Sequence, residues 1–403
     1  MRAWRVIAAL VALLSLAATA HVTHAFLQPV SGPERVAAQV RWLNRAIAEG
    51  APARMQTLFP EGAFFTHVLT GLAAASVGDR ASVDAALQAS GSAAIKDGFG
   101  TIDVLEGGTF YRGWRLLLWA EQVRLSGTGR AELAGEAARV GAALTASPIG
   151  VPPSYPDGHW PCDAVVAMAA VVRAGEVSGA PVDATTLAGW RTSLDALRDP
   201  GTGLLAHRVR ADGSIAEGAR GSSQAIVQSF WPDLDPDGAA QQWQLFTRTF
   251  VVRRFGLVGV REYPIGNASA GDVDSGPLIA GVSASASAVG LAAARRNGDA
   301  ALAATLDREA EYLGLPLEWS GERRFAFGLV PVGDAFVAWA RGVPLRTATG
   351  PTPPTPDALW WAHAVLLSLP GLLAGWWLTR SLNRNRSRNR AARGQVSPWA
   401  GES

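Results

Sequence analysis

The chain of 403 residues has one cysteine, Cys162, so no internal disulfide framework is available. A body of more than 300 residues can bury its own core without one. Metal-ligand spacing is missing too. His67, His159 and His207, the histidines away from the ends, lie far apart and show no paired spacing. No glycine-rich loop follows a strand pattern, and other cofactor motifs are lacking, so cofactor-independent chemistry is expected. Period-two alternation is scarce between Phe26 and Val343, where apolar residues instead recur at helical spacing; the body reads as all-α.

Two apolar stretches mark the ends. Val6 to Ala20 follows Arg2 and Arg5 and closes on Ala18-Thr19-Ala20, the order of a signal peptide. At about 15 residues it is shorter than the ~20 that cross a hydrocarbon core, so residues 1–25 are expected to be a cleaved signal peptide or a retained signal anchor. Residues 358–378, Ala358 to Leu378, would reach roughly 30 Å as a helix, enough to span. Trp360 and Trp361 at one side and Trp376 and Trp377 at the other suit the two half-wet interfaces. Arg380, Arg384, Arg386, Arg388, Arg390 and Arg393 follow, which predicts a cytoplasmic tail over 379–403 and an extracytoplasmic body over 26–345, joined by a Pro/Thr-rich linker, 346–357.

Charge agrees with that division. Without Arg2, Arg5 and the six tail arginines, 28 basic residues face 33 acidic ones once Glu402 is set aside, so the body is mildly acidic. The pI near 9.0 comes from the ends and does not argue for nucleic acid as a partner.

The predicted helices are of two kinds. Pro33 to Glu49, Arg80 to Ala89, Arg130 to Ala146, Asp183 to Arg198, Pro236 to Arg254 and Asp299 to Leu313 are amphipathic and charged. Gly62 to Val77, Phe110 to Arg124, Cys162 to Glu176, Gly221 to Trp231, Ser275 to Arg296 and Phe325 to Arg341 are apolar or small on nearly every face. Strict alternation of the two kinds is the pattern of an (α/α)6 toroid, six helical hairpins in a double ring, although no helix-length repeat is visible. An open solenoid, the rival, would want polar capping repeats at its ends. Links from buried to exposed helices are short, as at Gly78-Asp79 and Asn297-Gly298. The reverse links are long: Thr101 to Thr109, Ser147 to Pro161, Asp199 to Arg220 and Phe255 to Asp274. The long loops would gather on one rim, above the N-terminal ends of the buried helices, where free N–H groups favour anions or developing oxyanions.

The residues with acid–base chemistry concentrate in those loops. Tyr155-Pro156-Asp157-Gly158-His159-Trp160-Pro161-Cys162-Asp163 is the richest stretch, and Asp163 or Asp157 could equally cap the helix that follows. Leu204 to Arg210 and Ile215 read as short strands around Asp212-Gly213, a hairpin carrying His207. Arg220, Ser222, Ser223 and Gln224 open the next buried helix. Arg261-Glu262, an ion pair or a site, precedes Asp272 and Asp274, which offer too few oxygen ligands for calcium. Phe64, Phe65, His67, Tyr111, Arg112 and Trp114 would line a bore or simply build core.

In that order Trp160-Pro161-Cys162-Asp163, the His207 hairpin before Ser222-Ser223-Gln224, Arg261-Glu262 ahead of Asp272, Asp274 and Gly276, and Gly333-Asp334-Ala335-Phe336 resemble the linalool dehydratase/isomerase family, over Tyr155 to Arg341. The resemblance implies the same (α/α)6 fold. The two cysteines on which the naming enzyme relies match His159 and Met168 here, and Met168 has no acid–base chemistry, so terpene-alcohol dehydration itself is not implied. The expectation is a membrane-tethered enzyme of this lyase/isomerase-like group acting on a small organic or saccharide substrate. Asp163, His159 and Asp274 would transfer protons, and Arg220, Arg261 and Tyr111 would hold substrate or stabilise charge, with Asp157, His207, Gln224 and Asp272 as further contacts. A glycan hydrolase or lyase on the same toroid, and a non-catalytic envelope scaffold whose protein partners are unknown, are the alternatives.

Overall fold

The computed structural model describes residues 2–27, 32–267, 269–273, 275–346 and 359–394. The chain divides into two compact units: Met1–Pro29 with Thr355–Ser403, and Val30–Pro354. The terminal unit begins with α1 (Arg2–Leu27).

In the body, half-exposed helices alternate with buried ones. The half-exposed set is α2 (Pro33–Ala48), α5 (Arg80–Ser90), α8 (Arg130–Ala146), α10 (Ala184–Ser193), α12 (Ala239–Phe250) and α14 (Ala300–Leu313). The buried set is α4 (Gly62–Ser76), α7 (Gly108–Ser126), α9 (Pro161–Ser178), α11 (Gly221–Leu234), α13 (Ala284–Arg296) and α15 (Pro331–Gly342). Two short helices, α3 (Ala51–Gln56) and α6 (Ala93–Lys96), sit in connections. Asp79, Asp183 and Asp299 start three exposed helices by accepting the N–H of Ser82, Thr186 and Leu302, which satisfies one of the open donors of the first turn. Pro161 and Pro331 start two buried ones, where a missing N–H costs nothing.

Among the buried helices, α4 packs on α7 and α15, α7 on α9, α9 on α11, α11 on α13 and α13 on α15. Small residues permit this: a Cβ on Gly113 of α7 would lie 2.9 Å from the Ala167 backbone of α9. Their C-terminal ends lie together. Arg124 donates to the Ala75 carbonyl, Arg173 and Arg296 both engage Asp233, and Arg346 N–H bonds the Arg295 carbonyl. Three rings, Trp114 of α7, Phe230 of α11 and Trp339 of α15, meet with centroids 5.6 to 6.1 Å apart.

The body is mainly helical, as expected, with a few short strands. Among the described residues there are eight: β1 (Arg208–Val209), β2 (Ile215–Glu217), β3 (Val251–Arg254), β4 (Leu257–Arg261), β5 (Leu278–Ile279), β6 (Val282–Ser283), β7 (Leu317–Trp319) and β8 (Glu322–Arg324). All lie in links that run from a half-exposed helix to the next buried one. β1 and β2 form the expected hairpin around Asp212-Gly213. The sheet in order β3-β4-β6-β5 was not expected. The helix predicted to reach Arg254 ends at Phe250, because Val251 and Val252 pair with Val260 and Gly259 across a Phe255-Gly256 turn whose φ values, 53° and 77°, suit a tight hairpin. The helix predicted from Ser275 begins only at Ala284. Ala280 and Gly281 are both left-handed and turn the chain between β5 and β6, and the Ser283 hydroxyl then accepts the Ala286 N–H as a cap.

α1 is longer than the run of about 15 apolar residues predicted. His21, Thr23 and His24 interrupt hydropathy without breaking the helix, since Thr19 and Thr23 satisfy their hydroxyls on the carbonyls of Ser15 and Thr19. α16 (Leu359–Gly394) likewise runs past Leu378 into the arginine-rich tail. Among the described residues, these two helices are long and apolar enough to cross a membrane. Ala358 and linker residues 347–357 lie outside the described residues.

Candidate functional site

Arg220 is the centre of the only place where several of the predicted residues converge among those described. It stands immediately before α11 and is almost fully buried, its side chain 3 % exposed. Its Nε donates to Glu262 at 2.6 Å. Nη1 and Nη2 grip the two oxygens of Asp272 at 2.6 and 2.7 Å, the two-point fork that suits a planar carboxylate. Nη1 also reaches Glu217 of β2 at 3.4 Å, and the guanidinium lies 5.3 Å from the Tyr263 ring centroid.

Local backbone explains why Glu262 sits here. The Gly221 N–H bonds the Glu262 carbonyl at 2.8 Å, and a Cβ on Gly221 would lie 1.7 Å from the Arg261 carbonyl oxygen. Only glycine lets the end of β4 press against the first turn of α11. Glu262 is then fully buried and accepts the Ser222 hydroxyl at 2.7 Å and the Ser222 N–H at 3.3 Å. Burial pushes its carboxyl up from the usual range, against the pull of Arg220 and the Ser222 hydroxyl. By contrast Asp272 and Glu217 keep 46 % and 41 % of their side chains exposed, so the cluster offers solvent two carboxylates held by one cation.

His207, predicted as a contact, lies beside this cluster. Its Nδ1 is 2.5 Å from the Ser223 hydroxyl and its Nε2 is 3.8 Å from Glu217. Burial first, then the charge of Arg220, pushes the imidazole down to about 3, so it is neutral at pH 7. Gln224 donates to the Leu205 carbonyl at 2.7 Å, which leaves its Oε1 buried without a hydrogen-bond partner among the described residues.

The Tyr155 to Asp163 stretch adjoins the same hairpin. Val209 N–H bonds the His159 carbonyl at 3.0 Å, and Arg208 lies over Trp160 at 4.9 Å while donating to the Asp157 carbonyl at 3.0 Å. His159 Nδ1 is 2.7 Å from the Val151 carbonyl. A carbonyl can only accept, so Nδ1 carries a hydrogen, and Nε2 is the ring nitrogen left for another partner. Asp163 is buried in the first turn of α9, with Cys162 Sγ 3.7 Å from its carboxylate; the N-cap is Trp160, so neither Asp163 nor Asp157 occupies the cap position. Asp157 is exposed, its carbonyl rather than its carboxylate holding Arg208.

Other predicted residues lie elsewhere. Arg261 does not pair with its neighbour Glu262; its guanidinium donates to the carbonyls of Tyr263, Ala280 and Asn267, clamping the loop after β4. Tyr111 donates to the Ser90 carbonyl at 3.3 Å and packs among Phe64 and Phe99 in the core, away from Arg220. Phe64, Phe65 and Trp114 are core as well, and burial pushes His67 down to about 4. Asp274 lies outside the described residues. Glu217 and Glu262 were missed as site residues. Glu262 was visible only as a sequence neighbour of Arg261, and nothing in the sequence marks Glu217 beyond its place three residues before Arg220. No family model matches the chain, and no curated protein matches it.

Proposed function

We propose that the body is an (α/α)6 toroid and that the protein is a membrane-tethered, extracytoplasmic enzyme, similar to the linalool dehydratase/isomerase group, that carries out acid–base chemistry on a small organic molecule. The neighbour relations of the six buried helices, each packed on two others of the set, support the ring, as do their clustered C-terminal ends and the Trp114, Phe230 and Trp339 contact across it. The observation that carries the functional reading is the Arg220 cluster, where carboxylates from three chain segments converge on one guanidinium at the start of α11 and two of them reach solvent.

Arg220 is a positioning residue in this reading, because its donors already serve protein carboxylates. Asp272 and Glu217 are the solvent-accessible carboxylates of the cluster, and Arg220 fixes both in place for proton transfer to and from a substrate. His159 Nε2 and Asp163 stand on the adjoining segment as a second acid–base pair. In a dehydration, the acid protonates a hydroxyl that leaves as water, the base takes a proton from the neighbouring carbon, and the C–H electron pair becomes the double bond.

A second reading, a non-catalytic envelope protein, is favoured by the three rings that fill the middle of the helix set and by the pairing of most buried acids. Thermal stability of the detergent-solubilised full chain, with terpene alcohols, small carboxylates and acidic or neutral oligosaccharides, separates the two. A ligand at 100 times its Kd adds roughly 2.7 kcal/mol. Stabilisation by one class that is lost in Asp272→Asn and His159→Gln supports the enzyme, and an oligosaccharide hit redirects it to glycans. Stabilisation by none overturns it in favour of the scaffold.

A further inference from the structure

The ends of the chain hold a contact that the function above does not use. α1 and α16 run antiparallel and meet at three levels. Arg5 donates to the Ser381 carbonyl at 2.9 Å. Ser15 accepts the Gly371 N–H at 3.0 Å and donates to the Leu367 carbonyl. Phe26 lies 5.2 Å from Trp360 and 4.6 Å from Trp361 between ring centroids. The ten and eleven residues that separate Arg5, Ser15 and Phe26 are matched by the ten and eleven that separate Ser381, Gly371 and Trp360, so one register runs the whole length.

The middle level is the specific one. Pro370 has no N–H to donate, so one helical bond of α16 is missing beside this contact, and in hydrocarbon an unsatisfied backbone group is costly. The Ser15 hydroxyl stands across the adjoining step, between the carbonyl of Leu367 and the N–H of Gly371. A Cβ at residue 371 would lie 2.7 Å from Ser15 Cβ, so glycine is what lets the two helices come this close. A small residue at the contact and a hydroxyl bridging it are what holds helices together where no hydrophobic effect acts between them. α1 is also long enough to span: 25 apolar-rich residues, Ala3–Leu27, reach about 37 Å.

We propose that α1 is kept in the mature protein as the membrane partner of α16, the two forming an antiparallel hairpin across the bilayer through Ser15 and Gly371. Both termini are then cytoplasmic, and Arg2 and Arg5 lie at the same membrane face as Arg380 and Arg384, as the preference for basic residues on the inner side requires. Cleavage after Ala20 would remove Arg5 and Ser15 and leave the Leu367–Gly371 step of α16 without its bridge.

The test uses the full chain in native membranes with an epitope tag ahead of Met1. The tag should remain on the membrane-extracted protein and stay protected from protease added outside until the membrane is opened. Oxidation should then cross-link Phe26→Cys with Trp361→Cys but not Phe26→Cys with Thr379→Cys, read as linked peptides by mass, and adding Ser15→Leu should lower the first yield severalfold. Loss of the tag with a mature terminus after Ala20 overturns the proposal on the wild-type chain alone. A retained tag with cross-linking in neither pair, or equally in both, overturns the pairing.

Discussion

Arg220→Met tests whether the cluster is a buried ionic site. The substitution keeps most of the side-chain volume and leaves Glu262, with no exposed surface, facing only the hydroxyl and N–H of Ser222. Removing one member of a buried ion pair costs about 3–5 kcal/mol, while Asp272 and Glu217, both over a third exposed, relax into water at little cost. The loss should depend on pH. Burial already holds the Glu262 carboxyl above its usual range, and without Arg220 it rises further. A carboxyl whose folded pKa lies above its unfolded value contributes stability fully present below the unfolded pKa, and that contribution is lost as pH rises through the folded pKa. The deficit of Arg220→Met relative to wild type should therefore be smallest on the acid side, where Glu262 is protonated in both proteins, and should grow as pH rises through its raised folded pKa, measured as unfolding midpoints of the solubilised chain across pH. Adding Glu262→Gln should recover most of it at the higher pH, as a coupled pair requires. A deficit under about 1 kcal/mol that does not change with pH would refute the reasoning, since that is the behaviour of a solvent-exposed pair.

Glu309 and Asp334 make a second pH-dependent pair of sites. Burial pushes both up to about 8, although Glu309 accepts the Val258 N–H and Asp334 the Phe325 N–H. Wild-type stability should fall as pH rises from the unfolded carboxyl range toward 8, and Glu309→Gln or Asp334→Asn should each flatten part of that slope in melts at several pH values. Gly221→Ala should destabilise by about 3 kcal/mol, because its Cβ meets the Arg261 carbonyl, and should also separate β4 from α11. An unchanged melting temperature would show that the strand can move aside. Trp114→Ala should cost about 3–5 kcal/mol, since it empties the contact with Phe230 and Trp339; calorimetry of the purified variant checks it.

How much of this was legible depends on the range of the interaction. The alternation of charged and apolar helices could be read directly, because helical period and side-chain polarity are local, and α8 matches its predicted limits at both ends. The β1–β2 hairpin was legible for the same reason, since Asp212-Gly213 carries its own turn geometry. The sheet from Val251 to Ser283 was not. Val251 and Val252 fit the end of a helix or a strand equally well, and pairing with Val260 and Gly259 decides between them. At the site, the sequence by itself marked Arg220, His207, His159 and Asp272 as polar residues in loops before buried helices. It set Glu262 beside Arg261 and could not show that the partner is Arg220, 42 residues away. Tertiary structure decided that pairing, the seat of Tyr111 in the core, and the match of Ser15 with Gly371 from opposite ends of the chain. Each depends on which backbones come within contact distance. Sequence sets what a side chain can donate, accept or bury, and only the packed chain determines what stands opposite it.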